Sequence, residues 1–252
     1  MTVIFTRKDI EHWSNFSGDN NMLHYTTLQG KVIVQGMLIF VFLLNKITIF
    51  HSAKKDVSKF EAFFRQEVYT DIILKVSDFN ENIMVIENMA KDKLITARMV
   101  CNSKEFTKIN TTDMEHIRIG KERFEKYLMG FYSVFPESSS ELVFYSALCF
   151  SVGLSSKTFL THKDYTFQVS EEYFDSYIIK HISQAIEWHD PFHLAKLLDI
   201  KENSIDILIK ENSIVDLSPC TVARTILYIL KVDGIEYLRM KSVFFTEQLL
   251  IG

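Results

Sequence analysis

The hydrophobic pattern of the first twenty residues predicts a short amphipathic helix. Within residues 8–16, the apolar side chains of Ile10, Trp13 and Phe16 recur at helical spacing. Gly18 follows at a position suited to ending a helix. We therefore expect a helix that packs one face on the core and stops just before a polar segment.

A second helix is predicted after that polar segment, over residues 32–50. Its apolar side chains surround nearly the whole helical circumference, which is typical of a buried helix. The uninterrupted apolar run over residues 37–44 ends at Asn45 and Lys46, far short of the ~20 residues that span a bilayer. We expect a core helix rather than a membrane segment.

The pattern changes to β-strands between residues 59 and 101. Three strand-like runs follow one another, with polar turn residues around positions 80–82 and 91–93. The runs are FEAFFRQEVYTDIILKVSDF, NIMVIENMAKD and KLITARMVCNS. A buried helix followed by an antiparallel sheet that could wrap it predicts an α+β fold.

The second half of the chain repeats this plan. Residues 5–13 and 119–127 align without a gap at an offset of 114, and the apolar positions coincide. A second buried helix is predicted over residues 138–154, with Ser138–Ser140 as its cap and Glu141 in its first turn. Strand-like runs follow, namely DYTFQV, IDILIK, RTILYILKV and IEYLRMKSVFF.

Two explanations of this repeat remain open. Any two amphipathic helix starts can look alike, but the matching order of helix, buried helix and strands favours a duplication. We therefore divide the chain into an N-terminal unit, residues 1–112, and a C-terminal unit, residues 113–252. At the offset of 114, Asp19 aligns with Ser133 and His24 with Ser138. The second unit therefore lacks the polar pair of the first.

Composition narrows the classes of function. The 252 residues include 21 Phe and are 47% hydrophobic, which is enough for a sizeable core, and the net charge is −4. Without a basic run, and with a pI near 6.1, binding to nucleic acid is not expected. The three separated cysteines fit buried free thiols in a reducing cytoplasm, and the N-terminus shows no secretion signal.

The polar segment after the first helix holds the candidate chemistry. It reads FSGDNNMLHY over residues 16–25, and IVQGMLIF follows over residues 33–40. Together these segments resemble the hydratase motif of the MaoC-like, (R)-specific enoyl thioester hydratases and dehydratases. The resemblance implies a hot-dog fold, with a double hot dog formed by the two units, whose sheets lie side by side.

The same resemblance implies a role for four residues. Asp19 and His24 would share one water as an acid–base pair, and no metal or redox cofactor would be needed. The backbone N–H of Gly36, at the start of a buried helix, would polarise the thioester carbonyl, which could come close because glycine has no side chain. Asn21 would bind through hydrogen bonds, holding the loop or the imidazole, rather than react.

Three features depart from the family pattern. Met22 replaces the usual proline, Gln35 replaces the usual histidine before Gly36, and the segment between His24 and Gly36 is several residues shorter. These departures leave a non-catalytic descendant open as an alternative.

The remaining polar residues are weaker candidates. His189 and His193 are four residues apart, but Pro191 between them opposes a metal-binding helix. His12 and His116 fit surface positions. His181 fits a partly buried strand or helix. Ser138–Ser140 fits a cap better than a nucleophile, because no nucleophile elbow surrounds it.

The sequence thus predicts an enoyl thioester hydratase or 3-hydroxyacyl thioester dehydratase. Its partner would be an acyl-CoA or an acyl carrier protein thioester, and it would work as a monomer that mimics a dimer, or as a homodimer. A hot-dog thioesterase and a non-catalytic acyl-binding or scaffold protein are the alternatives.

Overall fold

A computed structural model describes residues 1–25, 30–50, 57–80, 82–101, 109–138, 140–160, 177–188, 204–218 and 221–248. The helices are α1 Arg7–Ser17, α2 Gly36–Phe50, α3 Lys121–Val134, α4 Glu141–Leu154 and α5 Lys157–Leu160. The strands are β1 Thr2–Val3, β2 Val57–Phe64, β3 Leu74–Asn80, β4 Ile83–Glu87, β5 Lys93–Cys101, β6 Glu115–Ile119, β7 Tyr177–Trp188, β8 Ile205–Ser218, β9 Thr221–Val232 and β10 Ile235–Gln248.

The described strands form one antiparallel sheet of ten strands in the order β1-β3-β4-β5-β2-β7-β10-β9-β8-β6. This order is symmetric about the central pair, in which β2 and β7 are the first described strands after the buried helices α2 and α4. They pair from Lys59–Glu187 to Phe63–Ser183. The sheets of the two halves therefore continue into each other side by side, as expected. The fold is α+β, and α2 and α4 pack against each other on the sheet.

The first helix forms where the sequence predicts it. Thr6 and Asp9 form a reciprocal capping box at its start, and Gly18 ends it in the left-handed conformation with φ 75°. Trp13 is fully buried, and its ring packs near those of Phe135 and Phe150 from the second half. Helix α3 begins at Lys121, which is 114 residues after the first residue of α1. The division at residues 112 and 113 stays a prediction.

The predicted start of the second helix is wrong by four residues. Helix α2 begins at Gly36, whereas Val32 and Val34 are extended and pair with the segment before β3. The N–H of Val34 donates to the carbonyl of Val68 at 2.8 Å, and the N–H of Thr70 donates to the carbonyl of Val32 at 2.9 Å. The β-branched side chains favour this extended pairing over helix. Gly36 is consequently the first residue of the helix.

The predicted strand over residues 60–79 is two strands. β2 ends at Phe64, and the chain then crosses the sheet before β3, because β2 pairs with β5 and β7 whereas β3 pairs with β1 and β4. Asp71, in the connection, has a positive φ of 59°. The alternation of apolar and polar residues cannot show that the run divides into β2 and β3, because it does not indicate which strands pair with each other.

The second half confirms the predicted buried helix and three of its strands. Ser140 caps α4, and its side chain accepts a hydrogen bond from the N–H of Val143. β8, β9 and β10 contain the last three predicted runs, whereas DYTFQV lies outside the described residues. The sequence leaves the segment around His181 open between strand and helix, and it forms β7, the strand that joins the two halves.

Candidate functional site

The loop after α1 holds Asp19 by hydrogen bonds to its backbone. The Ser17 hydroxyl accepts from the N–H of Asp19 at 3.1 Å, and the Ser14 hydroxyl donates to its carbonyl at 2.9 Å. The buried Gln35 donates through Nε2 to the Ser14 hydroxyl at 2.9 Å. The residue before α2 thus supports the loop that carries Asp19. Gln35, which stands where the family motif has histidine, therefore supports Asp19 through its hydrogen bond to Ser14.

His24 faces the Asp19 carboxylate from the other end of this loop. Its Nδ1 lies 2.8 Å from the backbone carbonyl of Ile33, and a carbonyl can only accept, so Nδ1 donates. In the neutral imidazole Nε2 then carries a lone pair. That atom lies 3.7 Å from Oδ2 of Asp19, and both residues are buried.

Burial raises the pKa of Asp19. The charge of His24 and the backbone N–H of Asn21 oppose this effect without cancelling it. The site therefore combines a carboxyl group with increased proton affinity and an imidazole nitrogen able to accept a proton. Such a pair is suited to acid–base chemistry.

Asn21 ties the loop to the second half of the molecule. Its Nδ2 donates to the carbonyl of Ile179 in β7 at 2.7 Å, and its Oδ1 accepts from the N–H of Leu23 at 3.2 Å. Its backbone carbonyl accepts from the N–H of His24 at 2.9 Å. These contacts make Asn21 a residue that positions the loop, and any contact with a substrate stays a prediction.

Asp19, His24 and Gly36 all line one cavity of about 540 Å³. Its walls come from both halves, and the apolar part includes Ile39, Phe64, Phe150, Leu154 and Phe244. The exposed lining residues are polar, namely Arg65, Gln66, Glu67 and Lys180. The cavity thus has an apolar interior, an acid–imidazole pair and a polar opening. This form is typical of a small-molecule site.

The structure shows a second reason for a glycine at position 36, beside the expected one. We expected the missing side chain to let a substrate carbonyl approach. In the structure, a β-carbon on Gly36 would lie 2.6 Å from Cβ and 3.0 Å from Nδ1 of His181. Glycine is therefore required by the packing of His181. The N–H of Gly36 still lies in the first turn of α2, where it has no acceptor within the helix.

His181 is the site residue that sequence reasoning missed. It lines the cavity from β7, and its ring lies near those of Phe64, Phe150 and Phe244, with centroid distances of 5.0, 6.0 and 4.7 Å. Burial lowers the pKa of His181 to about 4, although hydrogen bonds to Gln184 and to the Ser183 backbone oppose the shift. The only signal was an imidazole in an apolar run, which cannot be placed without knowing the position of β7.

The other histidines lie elsewhere or outside the described residues. His12 Nδ1 contacts the carbonyl of Ser133 at 3.2 Å on the surface, and His116 Nε2 contacts Oδ1 of Asp206 at 2.8 Å. His189 and His193 lie outside the described residues. Within the part of the chain that the structure describes, no three His, Cys, Asp or Glu residues are grouped to hold a metal ion.

The second half arranges its corresponding residues differently. Ser133 is exposed on α3, and the hydroxyl of Ser138 donates to Oδ1 of Asn45 at 3.0 Å. Where α2 begins with glycine, α4 begins with Glu141, whose buried carboxylate accepts a hydrogen bond from the hydroxyl of Tyr237 at 2.6 Å. The start of α4 therefore carries a carboxylate, whereas the start of α2 carries no side chain.

None of the described helices combines the length and the apolar character that crossing a bilayer would require. No protein-family model matches the sequence. No curated protein matches it at a significant level either.

Solved structures do resemble the chain in three dimensions. A MaoC-domain protein from Chloroflexus aurantiacus, named as a candidate dehydratase, has a TM-score of 0.56 at 10% identity, covering 99% of this chain and 93% of its own. A conserved hypothetical protein from Mycobacterium tuberculosis with a double hot-dog fold has a TM-score of 0.57 at 6% identity, over 98% and 94%. A candidate oleoyl thioesterase from Lactobacillus plantarum has a TM-score of 0.48 at 7% identity, over 99% and 95%.

The first two of these similarities, together with the symmetric sheet, establish the fold. This chain is a double hot dog. At such low identity the similarity extends to the fold alone, so the reaction has to be argued from the site.

Proposed function

We propose that this protein adds water to, or removes it from, the 2,3 bond of an acyl thioester. The substrate would be an enoyl or 3-hydroxyacyl group on coenzyme A or on an acyl carrier protein. The observation that carries the proposal is the position of His24 Nε2, 3.7 Å from Oδ2 of Asp19, in the cavity that Gly36 also lines.

The separation of the two groups suits one shared water. At 3.7 Å they are too far apart for a good direct hydrogen bond, yet a single water can lie about 2.8 Å from both. In hydration, one group would remove a proton from this water as its oxygen attacks carbon 3. The other would supply the proton that carbon 2 receives. Dehydration is the same sequence in reverse.

The start of α2 supplies the third requirement. Charge develops on the thioester oxygen as carbon 3 is attacked, and an N–H at a helix N-terminus stabilises such charge. Gly36 offers this N–H from the cavity wall. Loss of one comparable donor in other enzymes costs about 2.7–4 kcal/mol of transition-state stabilisation.

Two of the three departures from the family pattern, Gln35 and Met22, remain compatible with this chemistry. Gln35 supports Asp19 through Ser14, and Met22 lies in the short 3-10 helix, Met22–His24, that presents the imidazole. Neither residue supplies a reacting atom in the proposal.

The test is incubation with crotonyl and longer 2-enoyl thioesters on both carriers, following loss of absorbance of the conjugated double bond. Loss of absorbance without release of free thiol supports the proposal. Release of free thiol at the same rate identifies a thioesterase instead. Binding of the thioesters without either change identifies a non-catalytic acyl-binding protein.

A further inference from the structure

We propose that His181 is a specificity-determining residue of this cavity, which accepts through Nδ1 a hydrogen bond from the amide N–H nearest the sulfur of the substrate's thioester arm. The inference rests on the proposed function for the identity of the arm. It assigns to the second half of the chain a polar contact with the substrate. The cavity would then recognise the amide of the thioester arm as well as the acyl group.

The position of His181 brings it next to the reacting groups. Its Cβ and Nδ1 pack on Gly36, at the helix start where the thioester oxygen is proposed to lie. Its neighbour in sequence, Lys180, is exposed at the polar end of the cavity, whereas the ring of Phe150 beside it belongs to the apolar interior. His181 thus lies between the polar end and the apolar interior of the cavity.

The hydrogen-bond network fixes which nitrogen can accept. Nε2 of His181 lies 2.9 Å from Oε1 of Gln184, and the same oxygen accepts from the Ser242 hydroxyl at 2.6 Å. With the Gln184 amide oriented so that Oε1 faces His181, Nε2 of the imidazole carries the hydrogen, and Nε2 of Gln184 is buried without a hydrogen-bond partner among the described residues. The lowered pKa keeps the ring neutral at physiological pH, which leaves Nδ1 as an acceptor. No hydrogen bond from a donor among the described residues reaches Nδ1.

His181 is half-buried in the cavity wall, so a ligand that fills the cavity would cut Nδ1 off from water and would have to supply its donor. An acceptor left unpaired by the ligand weakens binding, and the three aromatic rings around His181 would surround a phenyl ring as they surround the imidazole. An acyl thioester offers few donors. The hydroxyl at carbon 3 belongs to Asp19 and His24 in the proposed reaction, and the nearest other donor is the amide two carbons beyond the sulfur, on the side of the cavity opening.

The experiment compares two ligands that differ only in this donor. The first is the butanoyl thioester of N-acetylcysteamine, and the second carries CH2 in place of its amide N–H. Both are saturated, so neither can be hydrated, and their dissociation constants are measured by calorimetry. For each protein, the preference for the amide is the dissociation constant of the analogue divided by that of the amide ligand. This preference should be about tenfold larger in the wild-type protein than in His181→Phe.

Two further variants separate recognition from a general change of shape. In Gln184→Leu the hydrogen can move to Nδ1, so the preference for the amide should fall although the imidazole remains. In Phe64→Leu, which changes the wall next to His181, both ligands should weaken by the same factor. Thermal unfolding of each variant shows whether it is folded.

Equal preference for the amide in wild-type protein and in folded His181→Phe overturns the inference, as does an equal loss for both ligands. If His181→Phe does not fold, an unchanged preference in Gln184→Leu overturns it. Because the ligands are not turned over, these results are independent of the hydratase assay. A preference that depends on His181 without hydration of any enoyl thioester would leave this inference standing and remove the proposed reaction.

Discussion

Gly36 and His181 are in contact at the junction of the two halves. The missing β-carbon of Gly36, at the start of α2, leaves the space that Cβ of His181 in β7 occupies. The helix start that the proposed reaction uses is therefore held in place by the half of the molecule that lacks the acid–imidazole pair.

Replacing Gly36 by alanine should destabilise the protein. The new β-carbon would lie 2.6 Å from Cβ of His181, so either the helix start or β7 must move. Overpacking of this kind costs typically about 1–3 kcal/mol. The free energy of unfolding in urea measures it. Because the closest atom is Cβ, adding His181→Ala should not relieve the strain. Recovery of the Gly36→Ala loss by His181→Ala would contradict this reading of the contact.

Replacing Asn21 by alanine should disturb the loop that carries Asp19 and His24. The change removes the donor to the carbonyl of Ile179 and the acceptor for the N–H of Leu23, and each buried group left unpaired costs about 1–3 kcal/mol. We expect a lower free energy of unfolding and a lower kcat. The matched control is Asn20→Ala, because Asn20 is adjacent and exposed. Similar losses in both variants would show that the contact with β7 is unimportant.

Replacing Asp19 by asparagine should change how stability depends on pH. Burial raises the pKa of Asp19 in the folded protein, so the folded state binds this proton more tightly than the unfolded state. The corresponding stability of the wild-type protein is present below the ordinary pKa of 3.8 and is lost as pH rises through the raised pKa.

Asparagine removes this dependence. The unfolding free energy of Asp19→Asn minus that of the wild-type protein should therefore increase between pH 3.5 and pH 7. Urea unfolding at a series of pH values measures the difference. A difference that stays constant, or that decreases with pH, would contradict the assigned environment of Asp19.

Features that depend only on residues close together in the chain could be predicted from the sequence. The caps of α1 and α4 are local, and both Gly18 and Ser140 act where the pattern predicts. The loop with Asp19 and His24 is local as well, so their proximity could be inferred from six positions of sequence.

Features that depend on distant contacts could not be inferred. The start of α2 is set by pairing of Val32 and Val34 with a segment more than thirty residues later. His181 reaches the cavity only because β7 pairs with β2, and no pattern in the sequence specifies that pairing. The main feature of the site that the sequence did not predict is therefore the position of β7, the strand that carries His181.

The proposed reaction rests on the claim that Asp19 and His24 act together on an unsaturated acyl thioester. The most direct measurement is the hydration rate of a crotonyl thioester by wild-type protein and by Asp19→Asn, with Asn20→Ala as the control. We predict a loss in kcat of about 10²–10⁴-fold in Asp19→Asn, with little change in the control. An equal rate in Asp19→Asn and wild-type protein would contradict the claim.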